Sequence, residues 1–224
     1  MGKIIVIEGL DGSGKQTQSE KLFERLKAEG KKIMKISYPR YDNPSSALVK
    51  MYLSGEFGKN ANDVNAYIAS TFYAVDRFAS YKQDYESFYK DGGIVLLDRY
   101  VTANMVHQAS KIDDIEEKEK FLKWLCDFEY GLFGLPQPDK VFFLNIPLEV
   151  SERLMKEREN KFSHTQEKDI HEKDPNHLKK AYDSACYLIN KYNWDEINCT
   201  KDGILRTIED IHEEIYSKLK DVLD

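Results

Sequence analysis

Gly9-Leu10-Asp11-Gly12-Ser13-Gly14-Lys15-Gln16-Thr17 holds the residues best suited to chemistry. Gly9-x4-Gly14-Lys15 has the spacing of a loop that cradles phosphates. Glycines let the backbone curl so that several N–H groups face one anion, and a helix start adds its dipole. Lys15 supplies a mobile point charge to the outer phosphates. Gly9, Asp11, Gly12, Ser13, Gly14, Lys15, Gln16 and Thr17 are therefore the expected nucleotide-binding residues. One position is irregular: Gln16 stands where Ser or Thr normally holds magnesium, and Thr17 comes one place late. The same glycines in a turn that binds nothing would cost backbone entropy without return.

Further chemistry lies at two strand ends and on one helix. Asp98-Arg99-Tyr100 closes the apolar run 94–97. Ligands of open α/β sheets bind at the carboxyl ends of strands, so Asp98 is a magnesium candidate and Arg99 a bidentate phosphate grip. Tyr38-Pro39-Arg40-Tyr41 follows a second apolar run and brings another cation to that edge. Tyr73 and Arg77 are four apart on a helical stretch and share a face, where a ring can stack on a base and a guanidinium can read its edge.

These residues need a frame. Strands are predicted at 4–8, 32–37, 93–98, 141–146 and 194–199. Helices are predicted at 15–29, 64–89, 102–110, 115–130, 148–157, 175–192 and 204–223. Near-continuous apolar strands alternating with helices predict an α/β fold: a three-layer P-loop NTPase architecture with a five-stranded parallel sheet flanked by helices. Residues 1–224 read as one domain, with no repeat, low-complexity tract or linker. Segment 157–174 has almost no apolar residues and charges of both signs; it reads as a mobile lid that closes over phosphates.

The chain has 224 residues, 41% hydrophobic and 32% charged, with a net charge of −6. This acidic balance argues against a nucleic-acid partner, so a phosphate ligand must be drawn by local cations. Cys126, Cys186 and Cys199 are too far apart for metal or CxxC spacing, which suits reduced thiols. The N-terminus starts a strand without a signal peptide and no apolar run would span a bilayer, so the expectation is a cytoplasmic protein without membrane contact. His171-Glu172 and His177 lack the spacing of a zinc site.

Together these motifs resemble the thymidylate kinase family, which phosphorylates dTMP to dTDP with ATP. The matching pieces are EGLDGSGKQTQ at 8–18, YPRY at 38–41, YAVDR at 73–77, LLDRYVTANMVHQ at 96–108, GLPQPD at 134–139 and DIHE at 169–172, in the family's order across nearly the whole chain. The resemblance implies ATP as donor with Mg2+, dTMP as acceptor, a role in dTTP synthesis and a homodimer, for which the amphipathic helix 64–89 offers a face. It also implies roles. Lys15 and the loop would hold the ATP phosphates. Asp11 would lie near the acceptor phosphate, the sugar 3′-hydroxyl and the metal. Arg99 and Arg40 would grip the acceptor phosphate, beside Tyr38, Pro39 and Tyr41. Tyr73 would stack on thymine and Arg77 would read its carbonyl edge. Asn104 and Gln108 would contact the base, and Glu172 the sugar or metal.

Three departures stand out. Gln16 puts direct ligation of magnesium by the loop in question. His107 replaces a tyrosine that crowds the sugar 2′ position. Gly12 stands where some relatives carry an arginine, which shifts the transition-state cation to the lid; Arg153, Arg158, Lys161 and Lys168 are the candidates there, with Arg158, Lys161 and Lys168 taken as catalytic. Two other readings remain open. A deoxynucleoside kinase would need a carboxylate base after the second strand, where Pro39-Arg40 stands. A P-loop sensor without catalysis is favoured only by Gln16.

Overall fold

β1 (Lys3–Gly9) is the middle of a five-stranded sheet and is almost wholly buried. The computed structural model describes residues 1–156 and 175–223. β2 (Ile33–Ser37), β3 (Ile94–Asp98), β4 (Lys140–Asn145) and β5 (Asp195–Asn198) complete the sheet in the order β2-β3-β1-β4-β5. Every pairing is parallel, with Ile7 opposite Asp98 on one side and Phe142 on the other. A two-residue side-chain period sends alternate residues to opposite faces. Ile4, Val6, Val95, Leu97 and Phe143 enter one core and Ile5, Ile7, Leu96, Phe142 and Leu144 the other.

Helices cover both faces. α1 (Lys15–Ala28) turns Leu22 and Leu26 to the second core, and α9 (Ile208–Leu223) adds Ile211, Ile215 and Leu219. Gly30, at φ 76°, follows α1 as the stop that the sequence predicts. The first core is covered by α5 (Val101–His107), α6 (Ile115–Cys126) and α8 (Pro175–Tyr192), through Met105, Phe121, Leu125, Ala181 and Leu188. α7 (Leu148–Lys156) follows β4 and packs against α8. The three-layer α/β fold predicted from the alternation is thus present.

Several local expectations change. The stretch predicted as one helix over 64–89 is α3 (Ala66–Ser80), a π-helical turn at Tyr81–Tyr85 and α4 (Glu86–Lys90). The wide turn lets Tyr81 and Tyr85 reach the core together. A second π turn, Asp127–Leu132, extends α6 and buries Glu129. α2 (Ala47–Leu53) is an additional helix, led in by a 3-10 turn at Pro44–Ser46 that the Asn43 side chain caps by accepting from Ser45 N. The region from 204 opens not as helix but as a hairpin, β6 (Thr200–Lys201) with β7 (Ile204–Leu205). Asp202 and Gly203 at φ 52° and 76° form its two-residue turn.

A third, smaller core lies apart from the sheet. Val49, Tyr52, Leu53, Val64 and Ala69 form it, and Tyr41, Phe72 and Tyr73 pack against it. Lys111 donates from Nζ to Tyr52 Oη (2.8 Å) and to the Val64 carbonyl (3.0 Å). Burial pushes that ammonium's pKa down to about 7.

Candidate active site

The carboxyl ends of β1, β2 and β3 open into a cavity of about 470 Å³. One end is walled by the loop 11–17 and by Ile146, Leu154, Leu205, Ile208 and Ile211, the other by Tyr38, Pro39, Tyr41, Tyr73, Arg77, Asn104, His107 and Gln108. Asp98 and Arg99 line it as well.

The loop is built for anions. Gly14 caps α1 at φ 86°, and Lys15 is the first helical residue. First-turn N–H groups have no helical acceptor and point outward along the axis. Lys15 Nζ donates to the Leu10 carbonyl at 2.7 Å. Burial, with help from Arg99, pushes its pKa down to about 8, against the pull of Asp11, Asp98 and Glu8. Gly9 serves differently from the expectation, since it does not line the cavity. At φ 156° it lets Ser13 Oγ and the Leu144 carbonyl close in, where a Cβ would meet them at 2.6 and 3.0 Å. Gly12 is overlaid by α7: a Cβ there would lie 2.6 Å from the Ser151 carbonyl oxygen and 2.9 Å from Met155 Cγ. Ser151 Oγ also donates to the Asp11 carbonyl. An arginine at position 12 has no room in this arrangement.

Arg99 joins the two ends. It sits at φ 66°, a backbone setting that turns its side chain back from β3 over β1. Nη2 donates to Asp11 Oδ1 at 2.6 Å, and Nη1 lies 2.9 Å from His107 Nε2 and 3.7 Å from Glu8 Oε1. Burial opposes its charge, but Asp11, Glu8 and Asp98 overcome that and push its pKa up. Glu8 is fully buried and accepts from Thr102 Oγ1 (2.8 Å) and Gly9 N (3.0 Å). Burial pushes its pKa up, and Arg99 and Lys15 draw it back. The burial of His107, with the Arg99 charge, drives its pKa well below the usual histidine range.

The sequence model of the thymidylate kinase family matches residues 7–215. The chain belongs to the thymidylate kinase family. It is 32% identical over 149 residues to thymidylate kinase of Mycobacterium tuberculosis, covering 66% of this chain and 68% of that relative. A probable thymidylate kinase of Methanocaldococcus jannaschii is 30% identical over 218 residues, covering 97% and 96%. The solved thymidylate kinase of Candida albicans shares the fold at a TM-score of 0.76, with 21% identity and coverage of 99% of this chain and 92% of that one.

Most of the residues that the thymidylate kinase resemblance picks out meet in the cavity, but not all. Arg40 does not line it. Its backbone N–H is held by Asp76 Oδ2 at 2.8 Å, and its guanidinium turns to Asp84 and to Ser80 Oγ (3.0 Å). That ion pair draws Arg40 along α3 and leaves Tyr41 on the wall instead. Arg158, Lys161, Lys168, Glu172 and the expected lid at 157–174 lie outside the described residues; Arg153 is an exposed residue of α7.

The end of the cavity around Arg77 shows what sequence reasoning missed. Arg77 is buried and meets Glu129 through Nε and Nη2, both at 2.6 Å, while Nη1 donates to the Tyr100 carbonyl at 3.2 Å. Burial pushes the Glu129 carboxyl up, and Arg77 draws it back. A guanidinium has more donors than these bonds use, and Arg77 still forms part of the wall. Asn104 Nδ2 donates to the Ser70 carbonyl at 3.2 Å. Gln108 is buried, and its Oε1 has no hydrogen-bond partner among the described residues. Tyr73 is set edge-on to Tyr52, with ring centroids 6.3 Å apart. Glu129, Glu8 and Asp76 thus position the site from outside it. Only Asp76, inside YAVDR, and Glu8, next to the loop, carried a local sequence signal.

Proposed function

We propose that this chain transfers the γ-phosphoryl group of ATP to the phosphate of dTMP, giving dTDP. The observation that carries this reading is Arg99: one guanidinium spans from Asp11 of the phosphate loop to His107 of the acceptor wall. Donor and acceptor phosphates can then meet between Lys15 and Arg99. A phosphate dianion is nucleophilic without help, so no general base is needed. Positioning and charge neutralisation supply the catalysis. Lys15 leaves the Leu10 carbonyl for the ATP phosphates, and the loop N–H groups hold their oxygens. Arg99 offsets the repulsion between the two anions. At the base end, Tyr73 supports the ring, Arg77 donates to a carbonyl oxygen, and Gln108 Oε1 accepts from an N–H.

The apolar wall of Ile146, Leu154, Leu205, Ile208 and Ile211 suits the adenine of ATP. Magnesium would rest on Asp98, with Asp11 and the amide oxygen of Gln16 nearby. Among the described residues no cluster of three or more metal-binding side chains exists, which fits an ion carried mainly by phosphates and water. Asp98 is buried on the cavity wall, and its hard carboxylate oxygens suit that ion. Bound there, magnesium would neutralise charge on the donor phosphates.

Exposed Tyr67, Ile68, Val75 and Phe78 on α3 support a homodimer through that face. Three free cysteines suit the reducing cytoplasm. No described helix is long and apolar enough to cross a membrane.

The test is a coupled ADP-release assay with ATP and magnesium, offering dTMP, thymidine, dCMP and UMP in turn. Turnover on dTMP well above the others is expected. Preference for thymidine would replace this reading with a nucleoside kinase. Tight ATP binding without turnover on any acceptor would replace it with a sensor.

A further inference from the structure

His177 lies in the first turn of α8 and is 4% exposed. It is not part of the cavity wall. Its ring stacks on His107, with centroids 6.1 Å apart and planes inclined by 22°. His107, at the end of α5, is the residue that meets Arg99 Nη1 at 2.9 Å.

The chemistry of this contact has one solution. A guanidinium has donors only, so His107 Nε2 must accept. The ring is then neutral and carries its proton on Nδ1. Arg99 is thus hydrogen-bonded at Nη2 by a charged acceptor, Asp11, and at Nη1 by an uncharged one, while the Glu8 carboxylate, 3.7 Å from Nη1, lies beyond hydrogen-bond reach. The distinction bears on a phosphate grip. With Asp11 and Glu8 already beside the guanidinium, a further carboxylate in the place of His107 would orient it equally well but would cancel more of the charge that the incoming anion needs. An imidazole fixes direction and leaves the charge in place.

An imidazole can hold direction only while its own plane is held. Rotation of the ring would carry Nε2 out of line with Nη1, and hydrogen bonds weaken steeply off axis. α5 and α8 pack against each other along this stretch, where Ser184 Oγ reaches the Met105 carbonyl at 3.5 Å. The face of His107 is thereby offered to the flat ring of His177.

We propose that His177 is a positioning residue for the acceptor phosphate: its ring holds the plane of His107, and His107 sets the direction of Arg99. This rests on the dTMP kinase reading and adds to it a residue that touches no substrate. Because Arg99 faces the phosphate and not the base, His177 influences phosphate-bearing ligands more than the bare nucleoside, which, of these three side chains, meets only the His107 ring on the wall.

Titration calorimetry with dTMP and with thymidine tests this on the full chain. His177→Ala weakens dTMP binding about fivefold, in the range of a lost ring contact, and weakens thymidine binding much less. His177→Phe restores a flat partner and returns dTMP binding to the parent value. His177→Leu fills volume without a plane and matches His177→Ala. If His177→Ala does not fold, the contrast between Phe and Leu carries the test. KM for dTMP rises in the same order, with KM for ATP constant. Equal weakening of thymidine and dTMP would mean a loosened fold and would overturn the proposal, as would dTMP binding that is the same in all variants. A parent protein without dTMP turnover would overturn the kinase reading itself, a result separate from these.

Discussion

Glu129 grips Arg77 with both carboxylate oxygens, 2.6 Å from Nε and 2.6 Å from Nη2, and both side chains are buried. Breaking such a pair strands a charge, which costs about 3–5 kcal/mol. Arg77→Ala is therefore expected to lower thermal stability as well as raise the dTMP requirement. Glu129→Leu should destabilise by a similar amount. The double variant Arg77→Met/Glu129→Leu strands no charge; it should recover most of the stability and still bind dTMP poorly. Calorimetric melting beside steady-state kinetics separates the two effects. Recovery of dTMP affinity in the double variant would remove Arg77 from base recognition.

On the proposed reading Lys15 and Arg99 would carry the phosphates. Lys15→Ala and Arg99→Ala are each expected to reduce turnover at least ~100-fold. The fold should remain, as judged by circular dichroism. A folded Arg99→Ala protein with normal turnover would end its assignment.

The Lys15 pKa of about 8 in the ligand-free protein gives a pH dependence. ATP phosphates favour the charged lysine, so binding above pH 8 must take up a proton. KM for ATP should rise with pH above about 8, by up to about tenfold per unit. Calorimetry in buffers of different ionisation enthalpy should detect proton uptake at pH 8.5. Stability moves in the opposite sense. The unfolded chain keeps Lys15 protonated up to its ordinary 10.5. Between about 8 and 10.5 unfolding takes up a proton, so the lysine's cost to the ligand-free fold fades as pH rises. Lys15→Met should be more stable than the parent below pH 8, by a margin that shrinks above it.

Gly12→Arg tests the packing of α7. The residue stands at φ 77°, and its Cβ would press on the Ser151 carbonyl and on Met155. The left-handed setting alone costs a side chain about 1–2 kcal/mol. The variant should lose activity and melt earlier. A gain in turnover would show that α7 yields and that the loop accepts a cation of its own.

Local signals made the donor half readable from sequence. Glycine spacing, a buried strand and a helix start lie within 8–18, so one short window specified the cradle. The acceptor half depends on partners far along the chain. Arg77 and Glu129 are 52 residues apart, and Arg40 and Asp84 are 44 apart. Both acids lie in π-helical turns, which no 3.6-residue period predicts. The direction of Arg40 could therefore not be read from YPRY alone. Other features were written locally and passed over: Asn43-Pro44 is a helix-start signal ahead of α2, and Asp202-Gly203 is a hairpin turn.

The small core around Tyr52 and Val64 divides the molecule's resistance to opening. The phosphate loop hangs from β1 at the centre of the sheet, whereas Tyr41 and Tyr73 lean on a cluster of a few side chains tied down by Lys111. Small clusters open locally at less than the global free energy. Amide hydrogens in 47–65 should thus exchange well before those of β1, and Lys111→Met should widen the gap. A nucleotide can then be admitted and discharged at the acceptor end while the donor end keeps its form.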